Sequence, residues 1–365
     1  MVNKKLEPIF KPYLPKGVSE GIEEILNSGK LAFGENGREF EERLSNFIGN
    51  KNLLTVSSYN HALLITLSTL GLKPGDEVIA SPVSCLASNQ PFVTKGLKVV
   101  WADVNPLSGS LLVDNVRSRI TSKTKAIFHN HFCGYLGQVN EINDLGKEFD
   151  IPVIDDCIEA FGSEFNGKKT GNLGTDITVF SFETVRLPNT ISGGAIVFND
   201  EKMFEKAKLI RDYGIDRSKF RDDMNEINPN CDINLEGYGA LMNELNSYIG
   251  LRQIETIGDL LEKQRENSRK WDVGVKLISN IEPLIPLFNT KPNNWIYGIL
   301  AKDKINTIKK FREKGFYATG VHLNNNVYSV FNNKENLKGV NEFMNHFVAI
   351  PSGWWLDLKF EDFDV

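Results

Sequence analysis

The sequence predicts an α/β protein with a mostly parallel sheet covered by helices on both faces, followed by a smaller α+β unit. Three observations predict it. Between residues 53 and 182 short apolar runs of strand length alternate with segments of helical apolar spacing, the pattern of right-handed crossovers between parallel strands. The run Ile151 to Ile154 has the length and composition of a buried parallel strand. It delivers Asp155 and Asp156 at its C-terminal end, where open α/β sheets bind ligands, so both are candidate site residues. From Ile285 the texture changes to short strands mixed with a basic helix, which places a domain boundary near residue 250 and divides the chain into 1–249 and 250–365.

Taken in order, residues 17 to 28 have helical spacing, Gly29 turns the chain, and a second helix runs from Arg38 to Ile48. Leu53 to Val56 is a strand, Ser57 fits the N-cap position, and Ala62 to Leu70 is a helix. Pro74-Gly75-Asp76 is a turn. Glu77 to Ala80 is a strand, Cys85 to Lys95 a helix, and Leu97 to Ala102 a strand ending at Asp103. Thr124 to Phe128, with His129-Asn130-His131 at its end, is followed by a helix from Val139 to Glu148 and then by the Ile151 strand. Ile177 to Phe182 is a further strand, residues 200 to 213 form a charged helix, and 214 to 234 is a polar loop. Glu236 to Leu261 reads as one long helical segment, extended by Gln264 to Leu277. Trp295 to Ala301 is a strand, Ile305 to Lys314 a basic helix, and Ala318 to His322 another strand.

Composition excludes several classes of function. A chain of 365 residues with 41% hydrophobic and 24% charged residues is an ordinary globular protein. A net charge of -5 without a long Lys/Arg cluster argues against general affinity for nucleic acid or an anionic membrane, because such binding depends on phosphate neutralisation. No apolar run approaches the roughly 18 residues that would span a bilayer, and the N-terminal segment has no signal-peptide core, so a cytoplasmic location is expected. Cys85, Cys133, Cys157 and Cys231 are too scattered for a metal motif or a disulfide framework and read as reduced thiols. His129 and His131 form an H-x-H pair that could be imagined as a metal site, with Glu159 near it. No third ligand is identifiable, so they read as structural histidines. Lys168-Lys169 reads as solvated charge and Trp354-Trp355 as small-domain core.

The stretch from Asp155 to Ala195 carries a family pattern. Asp155-Asp156-Cys157, Ala160-Phe161-Gly162, the glycine turn from Gly167 to Gly174, Phe180-Ser181-Phe182 and Gly193-Gly194 resemble the DegT/DnrJ/EryC1/StrS sugar aminotransferases. Further segments fit along nearly the whole chain: Asp103 after Val99-Val100-Trp101, Gly237-Tyr238 through Met242 to Gly250, Gly320-Val321-His322, and Ile350-Pro351-Ser352-Gly353-Trp354-Trp355. The resemblance implies aminotransferase fold type I, with a parallel-rich mixed sheet flanked by helices and a smaller C-terminal α+β domain. It also implies a homodimer with clefts at the subunit interface, pyridoxal phosphate (PLP) as cofactor, and a nucleotide-linked keto sugar of deoxysugar and surface-polysaccharide (O-antigen) biosynthesis as substrate.

The implied site is altered. Counting from Phe180-Ser181-Phe182, the family's Schiff-base lysine falls on Arg186, and no lysine lies between Lys169 and Lys202. A guanidinium stays protonated and cannot condense with an aldehyde as a neutral amine does. Asp156 matches the pyridinium partner and Ser181 a phosphate ligand. The phosphate loop, Ser-Gly-Thr-Ala in the family, is Ser58-Tyr59-Asn60-His61 here, so a tyrosine projects into or beside the phosphate volume. Leu86 stands where an aromatic ring stacks on the cofactor, Glu159 where Gln or His meets its ring oxygen, Gly239 for an Asn and Leu241 for an Arg. PLP binding is therefore expected to be weak or absent, with Arg186, Glu159, Glu183 and His61 as the candidate reactive groups and no metal. Three readings stay open: a lysine-independent PLP or pyridoxamine phosphate transaminase or dehydratase, a cofactor-free enzyme on the same sugars, and a non-catalytic subunit partnering an active aminotransferase.

Overall fold

The computed structural model describes residues 6–359. The first five residues, part of the segment read above for a signal peptide, lie outside it. Two helices come first, α1 (Val18–Ser28) and α2 (Glu35–Ile48). The chain then alternates: β1 (Leu53–Val56), α3 (Tyr59–Thr69), β2 (Glu77–Ala80), α4 (Leu86–Thr94), β3 (Lys98–Trp101), α5 (Val113–Arg119), β4 (Thr124–Asn130), α6 (Val139–Phe149) and β5 (Val153–Cys157). A small hairpin of β6 (Glu164–Phe165) and β7 (Lys168–Lys169) precedes β8 (Ile177–Ser181), β9 (Gly194–Phe198) and α7 (Glu201–Arg211).

Seven of these strands form one sheet in the order β1-β9-β8-β5-β4-β2-β3. The five from β8 to β3 are parallel neighbours, and β9 runs antiparallel to both β8 and β1. The sheet is therefore mixed but mostly parallel, as expected. Its central strands are buried on both faces, so apolar residues occupy both sides of each strand and even the aspartates of β5 are enclosed. On one face Ile154, Val179 and Ile196 pack beneath α3, with Leu63 and Leu67. On the other, Ile79, Ile127 and Val153 pack on Ile142 and Leu145 of α6, while Phe180 and Val197 meet Phe40 and Leu44 of α2.

The remaining elements are α8 (Glu244–Ile254), α9 (Ile257–Gly274), β10 (Ile281–Pro283), β11 (Thr290–Lys291), β12 (Tyr297–Ala301), α10 (Lys304–Lys314), α11 (Lys338–His346) and β13 (Phe347–Ile350). An antiparallel sheet β10-β12-β13 covers a core of Trp271, Tyr297, Phe311 and Val348, and Trp355 packs against it. Trp354 instead joins the α2 side, edge-on to Tyr13. Strand β11 pairs with β6, tying the two parts of the chain together. Residue 250, where the sequence divides, lies within α8.

Several elements differ from the sequence reading. The long helix expected from Glu236 is two helices, because Asn243 caps a fresh start by accepting the Asn246 N–H at 2.9 Å, and the chain breaks again before Ile257. Helix α3 begins earlier than expected, and its cap is Ser58 rather than Ser57. Ala318 to His322 forms no strand: one bridge, Thr319 to Ala349, is followed by Val321 at φ 57°, which turns the chain away. The seven-residue α5 is too short to show in apolar spacing.

Candidate active site

Side chains alternate across a sheet, so the adjacent aspartates of β5 face opposite sides. Asp156 points to the α3 face with Asn130, its register partner on β4. Its Oδ1 accepts the Tyr59 hydroxyl at 2.6 Å and the Ile158 N–H at 3.1 Å, and its Oδ2 accepts Asn130 Nδ2 at 2.6 Å. Ser88 Oγ of α4 lies 3.3 Å from the same hydroxyl. Tyr59, the first residue of α3, is buried with its ring pointing inward to reach across 97 residues of chain. Burial first, and the Asp156 charge second, push its phenol well above the ordinary value, so it is a neutral donor. Burial also raises the Asp156 carboxyl, against the lowering by its donors. Gly194 makes this packing possible, because a Cβ there would lie 2.7 Å from Phe180 O and 3.2 Å from Tyr59 Cα.

The start of α3 would attract an anion, since its amides and dipole favour negative charge. Here the charge comes from Glu183, whose Oε1 accepts the Tyr59 N–H at 3.4 Å and lies 3.3 Å from Ser192 Oγ. Ser181 Oγ in turn accepts the Glu183 N–H at 3.4 Å. His61 Nδ1 sits 2.8 Å from Ser57 Oγ and 3.2 Å from Ser58 Oγ, and burial lowers its pKa. Asn60 is exposed on the first turn, and Leu86 is exposed at the start of α4.

Beyond β5 lies a second cluster. Glu159, buried, accepts His322 Nε2 at 2.8 Å and Arg186 Nη1 at 3.5 Å on Oε1, and the Cys133 N–H at 2.7 Å on Oε2. Burial raises its pKa, but His322, Arg186 and that N–H outweigh the cost and hold it down at about 2. Arg186 lies over the Trp295 ring, 4.6 Å from its centroid, while the indole N–H donates to Val185 O. Its Nε is buried with no hydrogen-bond partner among the described residues. Two non-glycine residues in left-handed backbone frame the cluster, Cys133 at φ 54° and Val321 at φ 57°. For a β-branched residue such a φ is an outlier of the kind that gathers at functional sites.

The histidines of the H-x-H pair belong to neither cluster. Asp155 faces the α6 side, where its Oδ1 lies 3.1 Å from His129 Nδ1 and 3.3 Å from His131 Nε2, and its Oδ2 accepts Thr175 Oγ1 at 2.7 Å. His131 Nδ1 accepts the Gly137 N–H at 3.2 Å, so its Nε2 carries the proton toward Asp155. Burial pushes His129 down, leaving it neutral. The third group that the sequence could not supply is thus Asp155, not Glu159. These ligand-type atoms lie within 4.8 Å of one another. One lone pair is nonetheless taken by Gly137, and His129 Nε2 comes within 2.3 Å of where a Gly137 Cβ would stand. The result is a buried knot in which His129 Nε2 and His131 Nε2 are left without a hydrogen-bond partner among the described residues.

Of the residues singled out from sequence, the structure brings together Asp156, Tyr59, Glu183, Ser181, Ser58 and His61 around the start of α3, and Glu159 with Arg186 beyond it. Asn60 and Leu86 join neither set of hydrogen bonds. Sequence reasoning missed Asn130, Ser88, Cys133, Trp295 and the role of His322. Only Asn130 had a local signal, since it precedes His131 at the end of a strand parallel to β5.

Comparison with known proteins agrees with this architecture. The DegT/DnrJ/EryC1/StrS aminotransferase family matches residues 14–359. A Helicobacter pylori UDP-4-amino-4,6-dideoxy-N-acetyl-beta-L-altrosamine transaminase is 28% identical over 96% of this chain and 93% of its own. The crystal structure of the sugar aminotransferase CalS13 from Micromonospora echinospora superposes with a TM-score of 0.90 at 27% identity, covering 98% of this chain and 97% of that one. A Streptococcus pneumoniae sugar aminotransferase, solved in PLP and PMP forms, shares the fold at 21% identity with TM-scores of 0.86 and 0.87, covering 98% of this chain and 96% and 95% of those chains.

Proposed function

The chain belongs to the DegT/DnrJ/EryC1/StrS aminotransferase family, and on that premise we propose that it binds a nucleotide-linked keto sugar of deoxysugar or surface-polysaccharide biosynthesis and works without pyridoxal phosphate. One observation carries the reading: the Tyr59 hydroxyl holds Asp156 at 2.6 Å from within the core. In this reading the phenol takes the place of the cofactor's ring nitrogen on its carboxylate. Glu183 at the start of α3 takes the place of its phosphate. Arg186, at the register of the family's lysine, is turned to Glu159 and Trp295 and offers no neutral amine.

The residues present therefore do not fit the cofactor. A cofactor ring would first have to displace the Tyr59 phenol from its buried hydrogen bond to Asp156, a bond worth on the order of 1.5–3 kcal/mol where the carboxyl is charged. Bringing a phosphate beside Glu183 adds like-charge repulsion, screened because that side chain is only half-buried. The sugar nucleotide would enter at the carboxyl ends of the strands, where both clusters lie. We place it between the subunits of a homodimer.

Absorbance titration with pyridoxal phosphate tests this, with wild type beside Arg186→Lys and Arg186→Lys/Tyr59→Gly. Wild type is expected to stay colourless, and colour to appear in the double variant. A yellow, borohydride-reducible wild type overturns the reading.

A further inference from the structure

In the Glu159 cluster the side chain that faces solvent is His322, and we propose that it is the general base of a cofactor-independent proton transfer on the keto sugar. The proposal rests on the reading that such a sugar binds at this end of the sheet. Four observations support it. Glu159 Oε1 lies 2.8 Å from His322 Nε2, a contact that in the neutral ring places the proton on Nε2 and leaves Nδ1 as an acceptor. No other hydrogen bond to that ring is made by the described residues, and its side chain is 22% exposed. Val321, at φ 57°, sets the direction from which the ring leaves the backbone. Arg186 shares the same carboxylate oxygen at 3.5 Å, with its Nε unpartnered among the described residues, so a cation with spare donors stands beside the base.

The chemistry is enolisation. His322 Nδ1 takes the proton from a carbon next to the carbonyl, the C–H electron pair becomes the C=C bond, and the carbonyl π pair moves to oxygen. Arg186 supplies positive charge for the resulting enolate. The imidazolium, held through Nε2–H by the Glu159 carboxylate, exchanges its Nδ1 proton with solvent or returns it to carbon. Atoms and charge balance without an oxidant, a metal or an amine. Glu159 is a positioning residue, because it acts through His322.

The test is hydrogen–deuterium exchange. UDP- and dTDP-linked 4-keto-6-deoxyhexoses are incubated with the protein in D2O without pyridoxal phosphate, and the signals flanking the carbonyl are followed by proton NMR. Saturation-transfer NMR reports binding in the same tubes. Wild type is expected to exchange these hydrogens about 100-fold faster than the protein-free control, the lower end of general acid–base contributions. His322→Gln should fall to the control rate with binding retained. Glu159→Gln should lower the rate at saturating sugar while leaving half-saturation unchanged, and Glu159→Asp should recover part of it. A bound sugar that exchanges no faster than the control, or a His322→Gln protein as fast as wild type, overturns the proposal. Absence of binding by every probe sinks the keto-sugar reading beneath it.

Discussion

Asp156 and Glu159 lie three residues apart and are both almost wholly buried, yet their surroundings differ in kind. Asp156 is met by a phenol, an amide and a backbone N–H, all neutral and all fixed by the core. Glu159 is met by a guanidinium and an imidazole, and the imidazole reaches solvent. The difference teaches that depth alone does not mark a working acid. A carboxylate closed off by neutral donors is part of the scaffold, whereas one that orders two basic side chains can still transmit a change at the surface.

The comparison breaks most visibly where charge is sealed. Asp155 shows the extreme, with His129 and Thr175 as its hydrogen-bond partners, His131 Nε2 3.3 Å away and no exposure. Asp155→Ala should cost on the order of 3–5 kcal/mol in urea unfolding, since it strands buried polar partners. A loss under about 1 kcal/mol would mean that the knot is not structural.

Acid titration of stability sharpens the comparison from the Glu159 side. Its folded pKa is depressed to about 2, so the unfolded chain binds more protons and stability falls as pH drops from the ordinary carboxylate range toward that value. Glu159→Gln should flatten that loss by on the order of 2–3 kcal/mol, and superimposable wild-type and variant curves would contradict the assignment. The smallest effects separate the two clusters. Tyr59→Phe leaves Asp156 short of a donor and should cost roughly 1–3 kcal/mol. His322→Gln takes the imidazole from the buried Glu159 carboxylate but keeps an amide donor, and should cost less, about 1 kcal/mol. Equal losses would erase the distinction drawn between scaffold and site.

The sequence exposed what is local. Strand and helix alternation, the Ile151 run and the glycine pair could be read directly, because they depend on neighbours within a few positions. Asp155 and Asp156 were legible as strand-end acids, but not their opposite facings, since the strand reaches Cys157 and carries both inside the sheet. The tyrosine at 59 was legible as an intrusion, but not its destination, because the bond to Asp156 spans 97 positions. The contact of His322 with Glu159 spans 163 and has no local signature. The long helix expected from Glu236 failed for the reverse reason: apolar spacing persisted across two caps that interrupt it.

The bond from Tyr59 to Asp156 also constrains how such a chain changes by descent. A lysine arriving alone at position 186 would find Asp156 already occupied and would lose the guanidinium's hold on Glu159 and Trp295. A glycine arriving alone at position 59 would leave a void over a carboxylate that has lost its phenol. On the proposed reading each single step therefore removes a partner of a buried carboxylate without supplying another.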